Sequence, residues 1–139
     1  MTDARAANTD LRARLEHDAE GLTYASESDR PFTFFQLDGA GDAPPDPEAF
    51  KRLVDAPADA PVETRTLDDF FARHAETADP YDAQAQRIRP RYEALRETLR
   101  TALNRAIVYR IGRVEIDCWI VGGDGHGNLA GLRTVAVET

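Results

Sequence analysis

Between Arg113 and Val121, two sets of side chains alternate one for one. Val114, Ile116, Cys118 and Ile120 form one set, and Arg113, Glu115, Asp117, Trp119 and Val121 the other. A period of two marks a β-strand with one buried face, whereas helical apolar positions recur at three and four. This strand lies within the densest strand-type run of the chain, Val108–Thr139. A strand over Ile107–Ile111 precedes it across the tight turn Gly112-Arg113. The Gly-rich run Gly122–Asn128 predicts the next turn, and Leu129–Val137 a further strand that ends next to Thr139. Successive strands need apolar elements from elsewhere in the chain to cover them.

The preceding residues supply those elements. Leu11, Leu15, Ala19 and then Leu22 form an apolar stripe, which predicts a helix over Asp10–Glu20 capped by Asn8 or Thr9 and stopped at Gly21. Residues 1–8 read as frayed. The polar run Tyr24–Pro31 predicts a loop that enters an aromatic strand, Phe32–Leu37. Asp46-Pro47 is a helix start, cap then first turn, and predicts a helix to Val54 or Asp55 with Phe50, Leu53 and Val54 inward. Val62–Leu67 alternates weakly as a short strand. Thr66 or Asp68 then caps a helix that carries Phe70 and Phe71. After a turn over Thr77–Asp82, Ile88, Tyr92, Leu95, Leu99 and Leu103 mark one face of a long helix over Ala83–Asn104. Pro90 either kinks that helix or starts it afresh, so the firm part is Pro90–Asn104. Helices and strands in this order lack regular βαβ alternation, which predicts the α+β class.

The 139 residues suffice for one domain, 1–139, with a single core. The net charge of −8 and an isoelectric point near 4.8 exclude direct nucleic-acid binding, which rests on Lys and Arg neutralising phosphates. The same charge favours a basic partner by steering the encounter. Arg87, Arg89, Arg91, Arg96 and Arg100, interleaved with Glu93 and Glu97, read as a solvated helix face. One cysteine precludes an internal disulfide, and Cys118 falls on the predicted buried face. The N-terminus has no signal-peptide pattern and no apolar run is long enough to span a bilayer, so the expected location is cytoplasmic, away from membranes.

No catalytic or metal pattern emerges. GxSxG, CxxC, HExxH and the P-loop are all missing from the sequence. His17, His74 and His126 lack metal-pair spacing and read as surface residues. The run Gly122–Asn128 lacks an EF-hand ladder and reads as a flexible hairpin loop. Glu115 and Asp117 share a strand face, where repulsion between them is expected. The chain is therefore expected to be no enzyme and to need neither cofactor nor metal of its own.

Four blocks, in order, resemble the nuclease A inhibitor family: GLTYASESDRPFTFF (Gly21–Phe35), LDDFFAR (Leu67–Arg73), VYRIGRVEIDCWIVG (Val108–Gly122) and GNLAGLRTVAVET (Gly127–Thr139). The resemblance implies a single-domain α/β/α sandwich with a mixed sheet, the C-terminal strands forming its core. It implies a protein inhibitor of a DNA/RNA non-specific endonuclease of the ββα-metal type, bound one to one. In that family the terminal threonine enters the nuclease active site towards its Mg²⁺, and a glutamate in a Ser-Glu-Ser loop pairs with an active-site arginine. The matching positions are Thr139, preceded by Glu138, and Glu27, flanked by Ser26 and Ser28. Family members can also carry a tryptophan before the long helix. Here Pro80 and Tyr81 stand instead, with Tyr81 as a partial substitute. Two other readings stand beside this one. One is a non-enzymatic binding module of the same fold with a different basic partner. The other is a small-molecule enzyme, which a deep apolar pocket with convergent polar groups away from Glu27 and Thr139 would favour.

Overall fold

A computed structural model describes residues 4–24, 26–76 and 81–138. Five strands form one sheet, in the order β3 (Thr33–Leu37), β7 (Leu129–Val137), β6 (Glu115–Gly123), β5 (Asn104–Ile111), β4 (Val62–Arg65). Where a mixed sheet was expected, each of the four pairings is antiparallel. Short connections between β5, β6 and β7 permit only that sense, because parallel neighbours need a crossover of a dozen or more residues.

Helices α1 (Ala4–Ala19), α3 (Leu67–Glu76) and α4 (Ala83–Ala102) cover one face, and α2 (Pro47–Leu53) covers the other. The result is the expected α+β architecture with three layers. On the three-helix side, Leu15, Leu22, Phe70, Leu95 and Leu99 pack against Val108, Ile116, Cys118, Ile120 and Leu132. On the other side Phe50 lies flat on Tyr109, with ring centroids 4.1 Å apart, and edge-on to Trp119 at 5.7 Å. Trp119 and Val121 thus belong to a second core under α2, so β6 is buried on both faces rather than one. Val114, in contrast, is exposed ahead of the strand.

Several element boundaries differ from the sequence reading, each for a local reason. Helix α1 starts at Ala4, ahead of the expected Asp10, since Ala4, Arg5, Ala6 and Ala7 are strong helix formers and carry the helix through Asn8 and Thr9. In α2, Asp46 caps Ala49 N–H as expected, but Leu53 points outward and Lys51 is buried in its place. The aliphatic stem of Lys51 lies inside while its ammonium reaches the Ala58 carbonyl at 2.9 Å and Glu48 at 3.3 Å. Thr66, not Asp68, caps α3 by accepting from Asp69 N–H.

Helix α4 runs continuously through Pro90 and ends at Ala102. Strand β5 therefore begins at Asn104, earlier than expected, and a bulge between Asn104 and Ile107, with Arg105 at φ 55°, restores its register. Gly122 and Gly123 are strand residues rather than turn residues, paired with Ala130 and Leu129. Their use is close approach: a Cβ on Gly122 would lie 2.8 Å from the Asn104 carbonyl oxygen, and one on Gly123 would lie 2.0 Å from that of Asp42. The turn proper centres on Asp124, whose carboxylate accepts from the amides of His126 and Asn128. The turn at Thr77–Pro80 and the side chain of His74 lie outside the described residues.

Phe50→Ala removes the main side chain of the α2 core and should cost about 3–5 kcal/mol in urea unfolding. A loss below about 1 kcal/mol would mean that α2 is not integral to the fold. Burial pushes the Tyr109 hydroxyl up to about 12 and the Cys118 thiol up to about 11. Both groups hold their protons more tightly folded than unfolded, where 10.0 and 9.0 apply. Their stabilisation is complete below pH 9 and is lost as pH rises through those folded values. The urea midpoint should fall across that alkaline range, and Tyr109→Phe should flatten the upper part.

Candidate functional site

The loop that holds Glu27 joins two short strands, β1 (Thr23–Tyr24) and β2 (Arg30–Pro31), which the sequence reading did not anticipate. Aromatic residues fix both ends of this hairpin. Tyr24 stacks on Phe70 with centroids 4.3 Å apart, and Phe32, just past β2, meets Phe71 at 6.2 Å. The Tyr92 hydroxyl, from α4, donates to the Thr23 carbonyl at 2.5 Å, and its oxygen accepts from Thr23 N–H at 3.3 Å. Within the loop, Ser26 Oγ donates to the Ser28 carbonyl at 2.7 Å and accepts from Ser28 N–H at 3.2 Å. Arg30 Nε donates to Ser28 Oγ at 2.9 Å. Both serines are thus occupied in shaping the loop, and Glu27 at its apex is exposed.

The same loop grips the end of β7. Ser26 Oγ accepts from Val137 N–H at 3.0 Å, and Glu27 N–H donates to the Val137 carbonyl at 3.1 Å. Further back, Thr134 Oγ1 donates to the Arg30 carbonyl at 3.2 Å. Both polar backbone groups of Val137 are therefore satisfied by the adjacent residues Ser26 and Glu27. The Ser-Glu-Ser loop and the end of the last strand, distant in sequence, form one unit.

One residue further on, Glu138 N–H donates to the Val114 carbonyl at 2.9 Å. The Glu138 carboxylate accepts from Arg110 at 2.5 Å. Arg110 rises from β5 on the three-helix face, with its side chain only 10% exposed, and Glu63 of β4 lies 3.3 Å from its other terminal nitrogen. Burial opposes the charged guanidinium, but Glu138 and Glu63 outweigh it, and its pKa is raised. Thr139 lies outside the described residues.

The structure therefore gathers Ser26, Glu27, Ser28 and Glu138 at one end of the sheet. Tyr81 is 95% exposed and precedes α4, where Asp82 caps the helix by accepting from the amides of Gln84 and Ala85. Further along the same helix, Tyr92 bonds Thr23 at the base of the Ser-Glu-Ser loop. Sequence reasoning missed Arg110. The available signal was a charge at an inward strand position two residues after Val108, which demands a buried partner.

Elsewhere the chemistry is plain. The expected repulsion between Glu115 and Asp117 is relieved by arginines: Arg133 lies 2.8 Å from Asp117 and Arg30 3.8 Å from Glu115. Cys118 is fully buried. Among the described residues no group of three His, Cys, Asp or Glu side chains is placed to hold a metal, and no helix is long and apolar enough to cross a membrane. A broad open cleft of about 690 Å³ lies between α1 and β3, lined in part by the Arg12–Glu16 ion pair, His17 and Phe34. It is a surface groove rather than a deep apolar pocket.

A family model described as nuclease A inhibitor-like protein matches residues 9–139. No curated protein matches the chain.

Ser26→Ala should leave Val137 N–H without its acceptor and cost about 1–3 kcal/mol. Amide exchange at Val137 should quicken in step. Unchanged exchange there would contradict the role given to the Ser26 hydroxyl.

Proposed function

Because this chain belongs to the nuclease A inhibitor-like family, which implies a nuclease inhibitor, we propose that it blocks a sugar-non-specific ββα-metal endonuclease by one-to-one binding at the active site. The observation that best supports this reading is the pair of bonds between the Ser26–Glu27 backbone and side chain and Val137. They hold Glu27 beside the strand that leads to Thr139. Two carboxylates can then enter one cleft together.

Such a nuclease holds the substrate phosphate between a divalent cation and an arginine. A carboxylate accepts both hydrogen bonds of an arginine fork and ligates a hard cation, directly or through its water. It has no scissile bond, so the site is occupied without turnover. Glu27 takes the arginine. Thr139, carried by Glu138, approaches the nuclease's Mg²⁺. Ser26 and Ser28 keep the loop shaped for the encounter, so that little ordering is left for binding to cost. Tyr81, exposed at the start of α4, supplies the aromatic contact. The net charge of −8 steers the protein to the basic surface around a phosphate-binding cleft and away from nucleic acid. The inhibitor works in the cytoplasm, needs no cofactor or metal of its own and catalyses nothing.

Losing one partner of a buried interfacial charge pair costs about 2–5 kcal/mol. Glu27→Ala should therefore weaken inhibition of a Mg²⁺-dependent non-specific endonuclease by about thirtyfold to several thousandfold. A few residues appended after Thr139 should weaken it comparably. Full inhibition by both variants would remove Glu27 and Thr139 from the interface.

A further inference from the structure

We infer that Arg110 is a positioning residue for the end of β7: from the helix-covered face it holds the Glu138 carboxylate, so that Glu138 anchors that end beside the Ser-Glu-Ser loop rather than contacting the nuclease itself. This rests on the inhibitor reading above and adds to it the residue that fixes Glu138 at the end of β7.

An arginine on the helix-covered face of a sheet is expensive to bury unless carboxylates pair with it. Arg110 lies in the row formed by Cys118 and Thr134, among residues buried or nearly so. Glu63, directly opposite on β4, supplies one carboxylate but also pairs with Arg65 at 2.9 Å. Glu138 supplies the other, at the shorter distance of 2.5 Å. The pairing draws the Glu138 side chain inward, to the face that α3 and α4 cover.

The backbone is fixed at the same place. Val137 is bonded through its N–H and its carbonyl to the Ser26–Glu27 loop, and Glu138 through its N–H to Val114. Three backbone bonds and one ion pair to the largely buried Arg110 hold Val137 and Glu138. Backbone bonds alone would leave the Glu138 side chain free to rotate. The carboxylate on Arg110 removes that freedom. Among the described residues the Nε of Arg110 has no hydrogen-bond partner, which leaves the grip of this guanidinium to its two terminal nitrogens.

The test is a double-mutant cycle of Arg110→Met and Glu138→Ala, read as affinity for the endonuclease and as amide exchange at Glu138 in the free protein. Each single substitution should weaken binding about ten- to a hundredfold and quicken exchange at Glu138. Arg110→Lys should recover part of both. In the Glu138→Ala background, Arg110→Met should add little, because the two residues act through one contact. Glu63→Gln, which leaves the Glu138 pairing in place, should have the smaller effect. Wild-type affinity for Arg110→Met, or full additivity of the two substitutions, would overturn the inference while leaving the inhibitor reading intact. Should Arg110→Met fail to fold, Glu138→Ala and Arg110→Lys decide: tight binding by both, with slow exchange at Glu138, would overturn it equally. Failure of the unaltered protein to bind any such nuclease would overturn the inhibitor reading, and this inference with it.

Discussion

The ladder between β6 and β7 runs unbroken from Glu115 opposite Val137 to Gly123 opposite Leu129. Everything else is arranged around it. Because β6 and β7 lie at the centre of the sheet, their side chains need cover on both faces, and three helices on one side and α2 on the other provide it. The close approaches at Gly122, Gly123 and Gly131 follow from the same crowding, since a Cβ at any of them would overlap neighbouring backbone. A ladder held this firmly delivers the end of β7 to a fixed point. The rest of the site is built there.

That end is organised by polar groups rather than by packing. Two serine hydroxyl roles, one backbone bond from Glu27 and one largely buried arginine join three segments that the sequence separates widely. The aromatic anchors Tyr24 and Phe32 tie the hairpin to α3. The site thus divides its tasks: apolar contacts set where the loop stands, and hydrogen bonds set which way its glutamate and the last strand face. Preorganisation of this kind suits an inhibitor, because ordering that precedes binding is not charged against affinity.

The period-two alternation made β6 legible, and the apolar stripes made α1 and α4 legible, since both patterns are local consequences of burial. Asp46-Pro47 gave the start of α2 by cap chemistry alone. What escaped depends on contacts between distant residues. Leu53 reads as inward until the fold buries Lys51 in its place, with the Ala58 carbonyl brought to its ammonium. Gly122 and Gly123 read as a turn until Asn104 and Asp42 press against them. The β1–β2 hairpin has only two residues in each strand, too few for any periodicity. In the site, Ser26, Glu27, Ser28 and Glu138 were marked by resemblance, but nothing local said that Val137 would join them or that Arg110 lies behind Glu138.

The central claim is that this protein occupies the catalytic cleft of a nuclease in place of nucleic acid. The most direct measurement is the dependence of inhibition on substrate: initial rates of DNA cleavage by a Mg²⁺-dependent non-specific endonuclease at fixed inhibitor and rising DNA. Occupation of the cleft predicts purely competitive inhibition, with one inhibitor titrating one nuclease. Inhibition that persists undiminished at saturating DNA would contradict the account, because the protein would then act from a surface that the substrate never touches.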